Sequence, residues 1–235
     1  VFPLEWHDPA SKEVSSGYRE KGYFPEAFVN ILAFLGWNPG TNQEIFSMDE
    51  LVESFSLERV GKAGAKYDPD KAKWYNQQYL RAKSNEEIAD ELLAKFGDNE
   101  QIAGADKSFL AGISGLMKER ATFLEEIISD GAYFFAAPQE FDEKTQRKKW
   151  KEGSADLMQE WLSELQRIEN FSAENIEATF KSFLEKKDLG IGAVLPLFRL
   201  AVTGKGMGPS MFSIASLLGK QESCDRIEKG IKVLG

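Results

Sequence analysis

Apolar residues recur at helical spacing along most of this chain, and the polar residues at the ends of those runs are the ones that start and stop helices. Pro25 stands where a helix would open, Phe28, Ile31, Leu32 and Leu35 share one face, and Gly36 supplies the stop. Ser47-Met48-Asp49-Glu50 has capping-box spacing and predicts a helix with Leu51, Val52 and Phe55 on its inner face. Ser84 to Glu87 repeats that signal ahead of Ile88, Leu92 and Phe96, with Gly97 as the stop. A further helix is predicted from near Asp106. Trp150, Leu157, Trp161, Leu165 and Ile168 predict one long amphipathic helix, and Ser172 caps another with Ile176, Phe180, Phe183 and Leu184 inside. Residues 1 to about 24 lack sustained periodicity and read as irregular or short β structure. Alternating β-branched runs are missing, so the expected fold is all-α rather than a strand-rich barrel.

Composition narrows the function classes. At 235 residues with 42% hydrophobic and 29% charged residues, the chain can bury a full core and divides into more than one compact unit. No apolar run reaches the ~18 residues of a membrane span, and no membrane role is expected. Cys224 and His7 are single, which excludes a disulfide framework within the chain, a clustered thiolate zinc site and a histidine-based catalytic set. The net charge of -9 argues against indiscriminate nucleic-acid binding, because that mode neutralises many phosphates. Local basic clusters remain: Arg59 to Lys83, where Trp74, Tyr75 and Tyr79 interleave with the cations, and Lys144 to Lys151. The tryptophans and phenylalanines elsewhere read as core; Trp74 and Tyr75 are the aromatics placed to lie near a nucleic acid.

Two stretches, Gly17 to Gly40 (GYREKGYFPEAFVNILAFLGWNPG) and Arg59 to Leu80 (RVGKAGAKYDPDKAKWYNQQYL), resemble in this order the region of bacterial glutamyl-tRNA synthetases that follows the ATP-site lysine loop. Leu116 to Glu126 (LMKERATFLEE) and Leu195 to Lys220 (LPLFRLAVTGKGMGPSMFSIASLLGK) look like later motifs of the same class I family, so the resemblance covers nearly the whole chain. The family's His-Ile-Gly-His-like and Lys-Met-Ser-Lys-like signatures do not occur, and the chain opens on Val1. A C-terminal piece without catalytic, cofactor or metal residues is therefore expected, ATP and Mg2+ acting elsewhere in the full enzyme.

The resemblance implies three parts: a stem-contact lobe over residues 1–66 and two helical anticodon-binding subdomains over 67–140 and 141–235. It implies glutamate tRNA and the catalytic N-terminal half as partners, in a cytoplasmic monomer. Lys62 and Lys66 become candidates for phosphate contact on the tRNA stems, beside Trp74. Thr122 and Glu125 stand in capping-box spacing, so a helix is predicted from Phe123 with Arg120 in the connection before it. Without the resemblance, Arg120 reads as a bridge to Glu119 or Glu126. By resemblance it sits against the third anticodon base, while Arg199, Gly208, Pro209 and Met211 line the pocket for the first. Gly208 has no side chain where family members carry a hydroxyl, so a side-chain contact is not expected there. The glycine-dense loop Gly204 to Pro209 lacks the Gly-Lys-Ser/Thr ending and preceding strand of a phosphate loop. The alternative reading is a helical protein-interaction module that binds no nucleic acid.

Overall fold

The computed structural model describes residues 3–61, 64 and 66–235. Strands β1 (Trp6–His7) and β2 (Val14–Ser15) form an antiparallel pair, with Trp6 opposite Ser15 and His7 opposite Val14. All other regular structure among the described residues is helical. Helices α1 (Pro25–Ala33), α2 (Met48–Ser54), α3 (Pro69–Ala82), α4 (Asn85–Phe96), α5 (Lys107–Met117), α6 (Leu124–Ser129) and α7 (Ala132–Phe135) make the first part. Helices α8 (Glu143–Lys149), α9 (Ser154–Gln166), α10 (Ala173–Lys187), α11 (Ile191–Thr203), α12 (Met211–Leu218) and α13 (Lys220–Leu234) follow. The all-α expectation holds, and no described helix is long and apolar enough to cross a membrane.

The capping residues act as their chemistry dictates. The Ser47 and Ser84 hydroxyls accept from the third helical amide while Glu50 and Glu87 reach back to the serine N–H, and Asp106 and Ser172 cap α5 and α10. Ile88, Leu92, Ile176 and Phe180 are fully buried. Ser84→Ala is expected to cost about 1 kcal/mol, the usual worth of an N-cap, because Glu87 N–H loses its acceptor at 3.1 Å. Urea unfolding checks this, and an unchanged midpoint would contradict it.

Departures from the sequence reading have local causes. The predicted long helix from Trp150 is two helices: Trp150 is the C-cap of α8, and Gly153, at φ +80°, turns the chain before α9 begins. On α1 the buried face is Ala27, Asn30 and Ile31, while Leu32 is exposed. Asn30 turns that face inward because its amide donates to Glu44 O (3.0 Å) and its carbonyl accepts from Phe46 N–H (2.8 Å), fastening the loop after α1. On α2 only Leu51 is covered, and Val52 and Phe55 face solvent. Tyr75 lies in the apolar contact between α1 and α3 with Ile31 and Ala72, fully buried, so of the two aromatics expected near nucleic acid only Trp74 reaches the surface.

The largest core runs from Phe24 to Ile227 and holds Trp161 against Phe180, Phe183 and Phe198. Its continuity places the end of α5 and the loop after α11 on one surface.

Candidate nucleic-acid interface

The connection from α5 to α6 is strapped down by α3 and its end. Asn76 Nδ2 donates to Thr122 O (2.6 Å), Gln77 to Ala121 O and Arg81 to Glu119 O, while Lys118 Nζ donates back to Lys83 O (2.9 Å). Asn76 Oδ1 also accepts from Phe24 N–H (2.8 Å), so the same buried amide joins the entry of α1 to this connection. Ala121 is buried and Arg120 is exposed, so the strapping fixes the backbone and leaves the guanidinium outside. Helix α6 does begin after Phe123, but its cap is Glu126, whose carboxylate accepts from Thr122 N–H (2.6 Å) and Phe123 N–H (3.3 Å), rather than Thr122 with Glu125. Both carboxylates considered as partners of Arg120 are thereby engaged: Glu126 caps α6, and Glu119 pairs with Arg81 at 3.2 Å.

Arg120 crosses to the glycine-dense loop instead. Its Nη2 donates to Gly208 O at 3.2 Å, across 88 residues of sequence. From the other side Arg199, half-buried on α11, donates through Nη2 to Pro209 O at 2.7 Å. Two guanidinium groups thus hold consecutive carbonyls of one loop. Arg199 Nη1 is buried and hydrogen-bonds to no protein atom. A Cβ at Gly208 would lie 2.8 Å from that nitrogen, so the glycine is what leaves the approach to it open. Burial pulls the Arg199 guanidinium below its usual value, and the neighbouring Arg120 adds to the effect.

The loop is pinned at its start. Gly204 takes φ +71° as the C-cap of α11, its carbonyl accepts from Asp142 N–H at 2.8 Å, and a Cβ there would meet Glu140 O at 2.4 Å. Between loop and connection lies a cavity of about 300 Å³ lined by Met117, Arg120, Asp130, Tyr133, Met207 and Gly208, with Lys205 and Pro209 completing it. Burial pushes the Tyr133 phenol up to about 12 against the lowering effect of Arg199 and Arg120, so it stays neutral and donates to Met117 Sδ at 3.5 Å. Met207 is 86% exposed at the loop tip. The surroundings are rich in donors, with the cations Arg120 and Lys205 against the single carboxylate of Asp130. A partner with acceptors along a flat, partly apolar edge fits these walls.

Four of the residues expected from sequence, Arg120, Arg199, Gly208 and Pro209, therefore meet in one place. Met211 is 1% exposed in the core, where it anchors the first turn of α12 behind the loop rather than lining the cavity. Lys66 is exposed, Trp74 is 38% exposed, and neither lines this cavity; Lys62 lies outside the described residues. Lys205 and Met207 lie in the glycine-dense loop and Met117 in the Leu116 to Glu126 motif, both marked from sequence without these residues being named as site residues. Tyr133 and Asp130 were not anticipated, and no periodicity marks Tyr133, which looks like any core aromatic.

Comparison with known proteins bears on what such a cavity does. A family model described as an anticodon binding domain matches residues 75–231, and one described as the catalytic domain of class I tRNA synthetases (E and Q) matches residues 9–74. The glutamate–tRNA ligase of Christiangramia forsetii is 45% identical over 234 residues, and that of Phocaeicola vulgatus 47%; each match covers 100% of this chain and 46% of the relative. The solved structure of a glutamate tRNA ligase from Elizabethkingia meningosepticum, in complex with its amino acid, superposes with a TM-score of 0.94 at 44% identity, again over 100% of this chain and 46% of that one. The chain spans less than half the length of the curated relatives it matches.

Proposed function

The chain belongs to the anticodon-binding-domain family of the class I tRNA synthetases, and we propose that it is the tRNA-binding part of a glutamate–tRNA ligase that reads the anticodon of glutamate tRNA. The observation that carries this reading is the convergence of Arg120 and Arg199 on the Gly208 and Pro209 carbonyls beside a cavity open to a base. Guanidinium groups have donors only, so the site selects a base edge rich in acceptors. Cytosine offers O2 and N3. In this reading Arg120 meets the third anticodon base, and Arg199, Gly208 and Pro209 bound the neighbouring pocket for the first, with Met211 holding the loop in place. The third base is thus met by a residue whose backbone α3 holds fixed, so a wrong base is not accommodated by a shift of the loop.

The lobe through about Lys66 leans on the stems of the tRNA, and the helical parts 67–140 and 141–235 close on the anticodon together; that the cavity takes walls from both parts supports this. Activation of glutamate with ATP and Mg2+ falls to the catalytic half of a cytoplasmic, monomeric enzyme, and this chain supplies no group for it. The chain alone is therefore expected to show no glutamate-dependent exchange of pyrophosphate into ATP. Measurable exchange from clean protein would contradict that division of labour.

Phosphate contact and base reading separate experimentally. Replacing Lys62 and Lys66 with Ala is expected to weaken tRNA binding alike for all sequences and to flatten the salt slope by up to about one unit per lost contact, leaving anticodon preference intact. Titrations with glutamate tRNA and an unrelated tRNA at two salt concentrations test both halves of the statement. An unchanged slope would return these lysines to plain surface. Equal, salt-independent affinity for the two tRNAs would remove the function itself.

A further inference from the structure

Exposed apolar side chains are distributed very unevenly. Among the described residues, every large hydrophobic with substantial exposure except Ile191, Met207 and Val233 lies at or before Trp74, and all of those but Leu4 and Trp6 fall within residues 9–74, the part similar to a class I catalytic domain. The densest group is Met48, Val52, Phe55, Leu57 and Val60, with Val52 74% and Leu57 77% exposed. Met48, Leu51 and Val52 follow helical spacing on α2, and Phe55, its extended C-cap, continues the row into one apolar stripe of which the fold buries only Leu51. Phe55 and Val60 extend it around Trp37, whose ring lies 5.7 Å from Phe55 and whose backbone bridges to Val60. A helix patterned to bury a face that its own chain leaves open is missing a partner.

We propose that this stripe docks the remainder of the catalytic domain, the part of the glutamate–tRNA ligase relatives that this chain does not span; the inference rests on the function proposed above. Charge decides against RNA as the occupant. Asp49, Glu50, Glu53 and Glu58 rim the stripe and are all exposed, no Lys or Arg occurs from Glu44 to Glu58, and Arg59 beside Val60 is a single cation against these four carboxylates, so a phosphate backbone is disfavoured there. The partner surface is then apolar with a basic edge. It belongs to the same polypeptide, because the catalytic-domain likeness runs through this segment and the chain accounts for 46% of the relatives' length.

Hydroxyl-radical labelling of Met48, Val52, Phe55 and Leu57, read by mass spectrometry, tests the assignment in the chain alone and in the full-length ligase containing it. The expected result is strong labelling in the chain at every concentration and loss of labelling in the full-length enzyme. Equal labelling in both overturns the proposal, as does labelling that falls with rising concentration of the chain alone, which assigns the stripe to a second copy. Protection of the isolated chain by glutamate tRNA would overturn it in favour of RNA. As an independent arm, Val52→Glu combined with Leu57→Glu should leave the unfolding midpoint of the chain unchanged while splitting the thermal unfolding of the full-length enzyme into separate steps. A midpoint lowered equally in both proteins contradicts docking. Charging of glutamate tRNA by the full-length enzyme separates the two claims: charging with the stripe still labelled overturns the surface alone, whereas no charging overturns the function on which it rests.

Discussion

Replacing Arg226 with Met is expected to destabilise the protein by about 3 kcal/mol, the range in which a buried, multiply bonded charge is broken, even though Arg226 itself does not line the cavity. Arg226 is 3% exposed on α13, where Nη1 donates to Tyr133 O and to Val202 O (3.2 Å) and Nε to the Glu222 carboxylate (2.7 Å). Met keeps the length of the stem and removes every donor, so two carbonyls on α7 and α11 lose partners inside the core while Glu222, partly exposed, returns to water. The same two helices carry Tyr133 and Arg199, so loosening them also slackens the back of the cavity. For a chain of this size the thermal midpoint should fall by about 6–12 °C. Calorimetry settles it, and a fall under about two degrees, below the effect of 1 kcal/mol, would mean that the carbonyls find other donors.

The second expected result concerns discrimination. Arg120→Gln in the full-length ligase should narrow the preference for cytosine over guanine at the third anticodon position by about 1–3 kcal/mol, the usual worth of a base-reading arginine. Glutamate anticodons end in cytosine and glutamine anticodons in guanine. Arg120 spends one donor on Gly208 O at 3.2 Å and lines the cavity with the others, where cytosine O2 and N3 can accept. Guanine turns N1–H and N2–H toward the same place, donor against donor, and is also the larger base. Gln supplies a donor and an acceptor and tolerates both. The gain should therefore fall mainly on the guanine variant, with charging of the cognate tRNA changed less. Competition between glutamate tRNA and a variant carrying only that base change reads the ratio; an unaltered ratio would reduce Arg120 to a strap on the loop.

Much of the fold was legible because capping is local chemistry. Ser47, Ser84, Asp106 and Ser172 each satisfy amides within one turn, so their signal survives without tertiary knowledge. Asn30 and Gly153 were illegible for the opposite reason. A buried Asn has no period, and its value lies in a loop that it meets only after folding; Gly153 within an apolar repeat looks like a tolerated break until its φ is known. Of the α2 face expected to point inward, Leu51, Val52 and Phe55, only Leu51 is buried; helical spacing marks an apolar stripe but does not say what, if anything in the chain, covers it.

The site shows the same division. Arg120 and the Gly204 to Pro209 loop could each be marked by spacing, but that they meet is a property of the core, which brings the end of α5 against the end of α11. Tyr133 and Met117 become part of the site through that packing alone. The orphan nitrogen of Arg199 has no sequence signal at all, since it arises from burial.

The most direct test of the central claim is equilibrium binding of this chain, at one fixed salt concentration, to two anticodon stem-loops of glutamate tRNA that differ only in cytosine or guanine at the third anticodon base. Anticodon reading by Arg120 predicts tighter binding of the cytosine stem-loop and a smaller gap with Arg120→Gln. Equal affinity of the unmodified chain for the two RNAs would contradict it.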